Sequence, residues 1–215
     1  MKLDQLDARE QDHRRFLDRY YGWSRHVYDA TRRYYLLGRD RALELLLEEP
    51  WERLIEIGPG TGRNLRILHR ARPSAQLGGV EASAEMLRHG RRRCPFAKLE
   101  AGFAEHADLT AVLGEPPDRI LFSYSLSMIE APERALDNAM RALAPGGSIV
   151  IVDFGALDRL PSPLRAPCER WLSSFHVRTG GVLAGLREAA RYEIGPLGIY
   201  EIARIERPGP EDCAA

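Results

Sequence analysis

The residues of most evident chemical use lie in the segment Glu56-Ile57-Gly58-Pro59-Gly60-Thr61-Gly62. A short apolar run, Arg53–Ile57, leads into it, and a helical pattern carrying Leu65, Ile67 and Leu68 leads out. Glycines between a strand and a helix let a ligand approach bare backbone at the helix N-terminus, where unpaired N–H groups point outward. The spacing disfavours NAD and FAD. Their fingerprint needs G-x-G-x-x-G, whereas here the third glycine comes one residue early and Arg63 stands where a glycine belongs. The phosphate loop G-x-x-x-x-G-K-[ST] is absent as well. A second chemical resource is arginine. Lys2 and Lys98 are the only lysines, so 29 of the 31 cationic side chains are arginines. Most of these reflect composition; some can grip phosphate or carboxylate as planar forks.

These residues must be positioned by elements that the hydrophobic pattern predicts. Residues 13–49 read as helices, with Leu43, Leu46 and Leu47 at helical spacing and Glu49-Pro50 as the stop. Leu77–Val80 is expected as a second strand, Ala84–Arg93 as a helix, Ala97–Glu100 as a third strand and Arg119–Ser123 as a fourth. A helix over Glu133–Leu143 stops at Ala144-Pro145-Gly146-Gly147. The fifth strand, Ser148–Phe154, is a continuous apolar run suited to a central position. Strands alternating with helices imply an α/β architecture with right-handed crossovers and a parallel sheet. Two strand-like pieces, Arg191–Ile194 and Ile199–Ile205, lie too close together for a crossover and read as an antiparallel hairpin closing the sheet. The expected whole is a Rossmann-like, mostly parallel sheet of about seven strands. Residues 1–49 form an N-terminal helical cap, 50–207 the ligand-binding domain and 208–215 a tail.

Composition narrows the function. The chain has 215 residues, with Lys+Arg 31 balanced by Asp+Glu 31. A neutral balance argues against a general nucleic-acid binder. Hydrophobic content of 44% suffices for one full core. Cys94, Cys168 and Cys213 are scattered without metal-site or disulfide-framework spacing, which leads us to expect no metal and a reducing cytoplasm. No apolar run approaches membrane-span length, and the start, Met1-Lys2-Leu3-Asp4, does not read as a signal peptide.

The order E-x-G-x-G-x-G after a first strand resembles the first motif of the class I S-adenosylmethionine-dependent methyltransferases. The resemblance continues along most of the chain. Glu81, 19 residues after Gly62, stands where the family places the acid that accepts both ribose hydroxyls. Ala82-Ser83-Ala84-Glu85-Met86-Leu87 is similar to the family's continuation, with Met86 under the adenine. Gly102-Phe103-Ala104-Glu105 occupies the place of G-D-A-E, so Phe103 replaces the acid that contacts the adenine amino group, leaving backbone groups or Glu105 to serve it. Ser123 and Leu126 match the end of the fourth strand, and Leu143-Ala144-Pro145-Gly146-Gly147 matches the turn before the fifth. The resemblance implies S-adenosylmethionine as cofactor, S-adenosylhomocysteine as product, and a binding set of Glu56, Gly58, Gly60, Gly62, Asn64, Glu81, Ala82, Met86, Phe103, Ala104 and Ser123.

Two further blocks, Val27-Tyr28-Asp29 through Arg41 and Phe122-Ser123-Tyr124-Ser125-Leu126-Ser127-Met128-Ile129, resemble the bacterial betaine-lipid N-methyltransferases. Val152-Asp153-Phe154, Trp171 and Phe175-His176-Val177 extend the likeness. It implies trimethylation of diacylglyceryl-homoserine at its amine, a lipid substrate, a companion enzyme that forms it, and peripheral attachment to the inner face of the membrane. Residues 13–41 carry eight arginines against three aspartates, with five tyrosines and Trp23, a mixture suited to lipid headgroups. Tyr124, Tyr28 and His176 are the candidates to hold the amine, and tyrosine faces attract a growing ammonium. His106 and His26 read as surface residues. Methylation of phosphatidylethanolamine or of a soluble amine shares every core motif, and a non-catalytic cofactor-binding subunit is the reading of a different class.

Overall fold

The computed structural model describes residues 36–173, 183–186 and 191–209. Among these residues the regular elements follow in order: α1 Arg39–Leu47, β1 Arg53–Ile57, α2 Arg63–Ala71, β2 Gln76–Glu81, α3 Ala84–Arg93, β3 Lys98–Ala101, α4 Leu109–Leu113, β4 Arg119–Ser123, α5 Pro132–Ala142, β5 Ser148–Phe154, α6 Ser162–Ser173, β6 Arg191–Ile194 and β7 Tyr200–Glu206. The seven strands form one sheet in the order β3-β2-β1-β4-β5-β7-β6. The first five pair in parallel, and β7 runs antiparallel to both β5 and β6. The sheet and its C-terminal hairpin are those the sequence pattern predicts. The hairpin's second strand lies inside its first: β7 pairs with β5 from Ser148↔Glu206 to Phe154↔Tyr200, while β6 holds the edge with four residues. A short edge strand leaves few unpaired backbone groups open to pairing with another chain.

Alternation along each strand sorts the core into two layers. Leu54, Leu121, Val150 and Val152 meet α1, α2, α3 and α6 through Leu43, Leu46, Leu65, Leu68, Leu87 and Leu172. Ile55, Ile57, Phe122, Ile149 and Ile151 meet α4 and α5 through Leu109, Val112, Ala135 and Ala139 on the other face. Every residue of β5 is buried, as its unbroken apolar run requires. Two helices lie outside the expected pattern. Helix α4 is started by Asp108, whose side chain accepts the Ala111 N–H at 3.0 Å, and ended by Gly114 at φ 90°. Helix α6 keeps its apolar Leu164 and Trp171 on the outside, so it lacks the inward stripe that would mark it in sequence.

At the N-terminal ends of the strands, charge is tied into the frame. Glu49 accepts from the buried Arg119 at 2.9 Å and from the buried Arg204, and the Arg204 contact holds its carboxyl below the usual range. Asp118 accepts the N–H groups of Glu52 and Arg53, both at 2.9 Å, and pins the entry to β1. The opposite end of the sheet, where β1, β2, β4 and β5 finish, carries the cavities.

Candidate cofactor and acceptor site

The glycine loop takes its shape from three left-handed residues: Gly58 at φ 69°, Gly60 at φ 55° and Gly62 at φ 75°. A side chain at Gly58 would come within 3.0 Å of Ser125 Cβ, so the chain leaving β4 closes directly over the loop. The Gly60 N–H donates to Glu81 Oε2 at 2.9 Å, and the Ser83 N–H donates to Glu81 Oε1 at 3.0 Å. Glu81 ends β2, is buried, and has its carboxylate oriented by two backbone donors beside the glycines. Ser83 then caps α3 by accepting the Met86 N–H at 3.3 Å, which sets Met86 in the wall.

Two cavities meet at Gly58. The first, of about 670 Å³, is mostly apolar: Ile57, Val80, Met86, Phe103, Met128 and Ile129 surround the carboxylates of Glu81 and Glu105. The second, of about 800 Å³, is polar and ringed by Arg39, Arg63, Arg93, Glu56, Asn64 and Ser123. Its polar groups are braced from behind. Asn64 Nδ2 donates to Glu56 Oε1 at 2.8 Å, and Arg63 bridges Asn64 Oδ1 at 3.2 Å and Asp40 at 2.7 Å. Arg39 Nε donates to the Leu36 carbonyl at 3.1 Å. The Oγ atoms of Ser123 and Ser125 are buried without a hydrogen-bond partner among the described residues.

The structure gathers ten of the eleven expected cofactor residues here. Gly58, Gly60, Glu81, Ala82, Met86, Phe103 and Ala104 line the first cavity. Glu56, Asn64 and Ser123, with Gly58 again, line the second. Gly62 lines neither; a side chain there would lie 2.3 Å from Cys94 Sγ, whose thiol rests 3.4 Å from the Gly62 carbonyl, so packing as well as the positive φ calls for glycine. Phe103 is buried in the wall and tilts toward the His106 ring, 6.1 Å away. Tyr28 and His176 lie outside the described residues, as does most of the expected helical cap.

Tyr124 is brought to the site with its hydroxyl already engaged. Its ring lines the first cavity, yet its hydroxyl donates to the Leu37 carbonyl. Burial, and then the nearby Asp153 charge, push the phenol up, so it is no proton acceptor at neutral pH. It sits at φ 55°, uncommon for a bulky residue, and is held there by its N–H to Val152 O at 2.8 Å and by edge contact with Phe154 at 4.7 Å. Tyr124 therefore ties the chain at residues 36–38 to the end of β4.

Asp153 is a functional candidate that sequence reasoning left unassigned. It is fully buried at the end of β5, where Oδ2 accepts the Ser127 N–H at 2.9 Å and Oδ1 accepts the Phe154 N–H at 2.8 Å. Burial pushes its carboxyl up to about 6, against the pull of those donors. Through Ser127 it fixes the 3₁₀ turn Leu126–Met128, and so the cavity wall at Ser125 and Met128. The available signal was one acid closing an otherwise apolar strand.

An elongated ligand with a flat apolar base, a diol and a zwitterionic amino acid suits this pair of cavities. S-adenosylmethionine has that form. The apolar cavity fits the adenine, Glu81 the ribose hydroxyls, and the arginine-ringed cavity with Glu56 the amino acid end. Fold and site together define a Rossmann-like methyltransferase. A family described as a methyltransferase domain matches residues 28–183, and the chain belongs to that family.

Among curated proteins, the chain is similar to the demethylmenaquinone methyltransferase of Thermus thermophilus, with 29% identity over 133 residues covering 59% of this chain and 60% of that protein. It is also similar to the trans-aconitate 2-methyltransferase of Paracidovorax citrulli, with 32% identity over 114 residues covering 51% and 43%. The matched stretch thus spans only about half the length of these relatives. A Thermotoga maritima methyltransferase described as a possible histamine N-methyltransferase shares the fold at TM-score 0.61 and 22% identity, covering 89% of this chain and 95% of that one. So does the plantazolicin methyltransferase BpumL, solved with S-adenosylhomocysteine, at TM-score 0.66 and 17% identity over 94% and 95%.

Proposed function

We propose that this protein transfers methyl groups from S-adenosylmethionine to the amine of a lipid, with diacylglyceryl-homoserine as acceptor and the trimethylated betaine lipid as product. When bound, the cofactor supplies an electrophilic methyl carbon on a sulfonium. The chain's residues supply position and shelter. Glu81 holds the ribose, Arg39 and Glu56 take the carboxylate and ammonium of the amino acid end, and Met86 and Phe103 enclose the base. Tyr124 lines the same cavity as Gly58, and an aromatic face there would favour a developing ammonium by cation–π attraction. The acceptor nitrogen attacks as the neutral amine, and a partly dry pocket lowers its pKa without a strong base.

One observation carries the choice of acceptor. The two blocks that resemble betaine-lipid enzymes, residues 27–41 and 122–129, lie far apart in sequence, and the described part of the first, residues 36–41, is joined to the second by the Tyr124 hydroxyl on the Leu37 carbonyl. Similarity to the demethylmenaquinone methyltransferase favours a second reading, carbon methylation of a quinone-like ring. Incubation with labelled S-adenosylmethionine and either diacylglyceryl-homoserine or a demethylated quinone, followed by product mass, separates them. Successive methylation of the homoserine lipid alone is the expected result; label on the quinone alone would overturn the lipid-amine reading.

A further inference from the structure

The two helical layers carry opposite charge, although the chain as a whole is neutral. On one face, residues 63–72 and 84–93, which include α2 and α3, hold eight arginines against the single carboxylate of Glu85, a local charge of +7, and this layer stays positive with residues 39–49 (two arginines, four carboxylates) and 162–173 (two arginines, one carboxylate) added. On the other, residues 105–118 and 130–143, which include α4 and α5, hold seven carboxylates and two arginines, a local charge of −5. Helical spacing places Arg63, Arg66 and Arg70 on one outward stripe and Arg88 and Arg92 on another, opposite the buried Leu65, Leu68 and Leu87. Arg63 pairs with Asp40 at 2.7 Å, Arg88 with Glu85 at 2.6 Å and Arg91 with Glu100 at 3.6 Å, and the positive excess outlasts these pairs.

The basic layer also carries exposed apolar groups. Helix α6 is anchored in the same core cluster by Leu172 yet exposes Leu164 at 55% and Trp171 at 45%. Leu37, beside Leu36 of that cluster, is 41% exposed. Arginine stripes and exposed aliphatic and indole groups on one layer match an interfacial surface. Base stacking finds no platform along the stripes, since Phe96 is half-buried and stacked on His69 with centroids 3.9 Å apart. The basic layer reaches the site itself, because Arg63 and Arg93 line the second cavity.

We infer that the α2–α3 face, continued by α6, docks this protein on an anionic lipid bilayer with the mouth of the cavity toward the surface. A planar negative surface attracts one layer and repels the other, so the charge asymmetry orients the molecule as well as binding it. The choice of a lipid partner rests on the lipid acceptor proposed above; the asymmetry of charge does not.

The test uses the full chain and sedimentation with phosphatidylcholine vesicles, with and without phosphatidylglycerol, at low and high salt. Retention on the phosphatidylglycerol vesicles, weakened by salt, is expected. The variant Arg66→Glu/Arg70→Glu/Arg92→Glu should lose at least about a hundredfold in partitioning, at roughly fivefold per arginine near an anionic surface. Its affinity for S-adenosylhomocysteine should stay unchanged, which shows that it folds. Equal retention on both vesicles, a triple variant that binds like wild type, or tighter binding to a single-stranded oligonucleotide than to vesicles would each overturn the inference. Detergent-dispersed acceptor keeps the two readings apart. Methylation without vesicle binding overturns docking alone, and vesicle binding with no lipid methylated overturns the acceptor alone.

Discussion

The two cavities that meet at Gly58 are built in opposite ways. The first is shaped by strand ends and backbone: Ile57, Val80 and Phe103 form an apolar wall, and its acid, Glu81, is held by main-chain N–H groups. The second is shaped by side chains that hold one another, in the series Asp40–Arg63–Asn64–Glu56. The first is rigid because its donors belong to the sheet and the glycine loop, whose own hydrogen bonds fix them. The second depends on long side chains and on residues 36–40, which reach the site from the N-terminal side. On the proposed reading, recognition of a nucleoside rests on the fold, and recognition of the amino acid end rests on a charged mesh laid over it.

Methylthioadenosine keeps the nucleoside and lacks the amino acid, so it probes the first cavity alone. Glu81→Ala should have the largest effect, weakening both S-adenosylhomocysteine and methylthioadenosine by about a hundredfold or more in calorimetric titration, since two hydrogen bonds to a buried charged group are lost. Gly62→Val should destabilise the fold by about 2–4 kcal/mol in denaturant unfolding, from positive φ and the Cys94 contact, while ligand affinity of the folded fraction holds. Comparable loss of affinity would return Gly62 to the site.

Asp153 braces the wall of the first cavity through the Leu126–Met128 turn. Its folded pKa, about 6, lies above the ordinary value of 3.8, so between these values the native state binds the extra proton. Stability contributed by this group is therefore full below about pH 4 and falls as pH rises through 6, by about 2–3 kcal/mol. Asp153→Asn should flatten that segment of the stability-versus-pH curve; an unchanged slope would reassign it. Arg39→Ala should weaken S-adenosylhomocysteine about tenfold and leave methylthioadenosine unaffected, the sharpest separation of the two cavities. Tyr124→Phe should have the smallest effect, costing about 1 kcal/mol of stability with turnover retained, because its hydroxyl serves the Leu37 carbonyl.

Much of the apolar cavity was legible in the sequence. A strand running into Gly58-Pro59-Gly60-Thr61-Gly62, then Glu81 and Met86 at the next strand–helix junction, are local patterns, and the fold placed them as the patterns required. The polar cavity was less legible. Glu56, Asn64 and Ser123 were expected, but Arg39, Arg63 and Arg93 could not be picked out from 29 arginines, because proximity to Gly58 is a property of packing. Tyr124 stands at the expected place, but its bond to Leu37 was not legible, because a tyrosine at a strand end does not reveal in sequence where its hydroxyl points. Asp153 escaped because a single acid in an apolar strand carries no periodicity.

By itself the sequence determined the succession of the seven strands and of the helices with an inward apolar stripe, the glycine loop and the acid that faces it, since these depend on residues close together along the chain. Only the tertiary structure decided which arginines ring a cavity, that Tyr124 is a strut to Leu37, that Gly62 serves Cys94, and that neutral overall charge divides into a basic and an acidic face. Those outcomes depend on which side of the sheet each helix covers and on contacts between residues distant in the chain, which hydrophobic spacing does not encode.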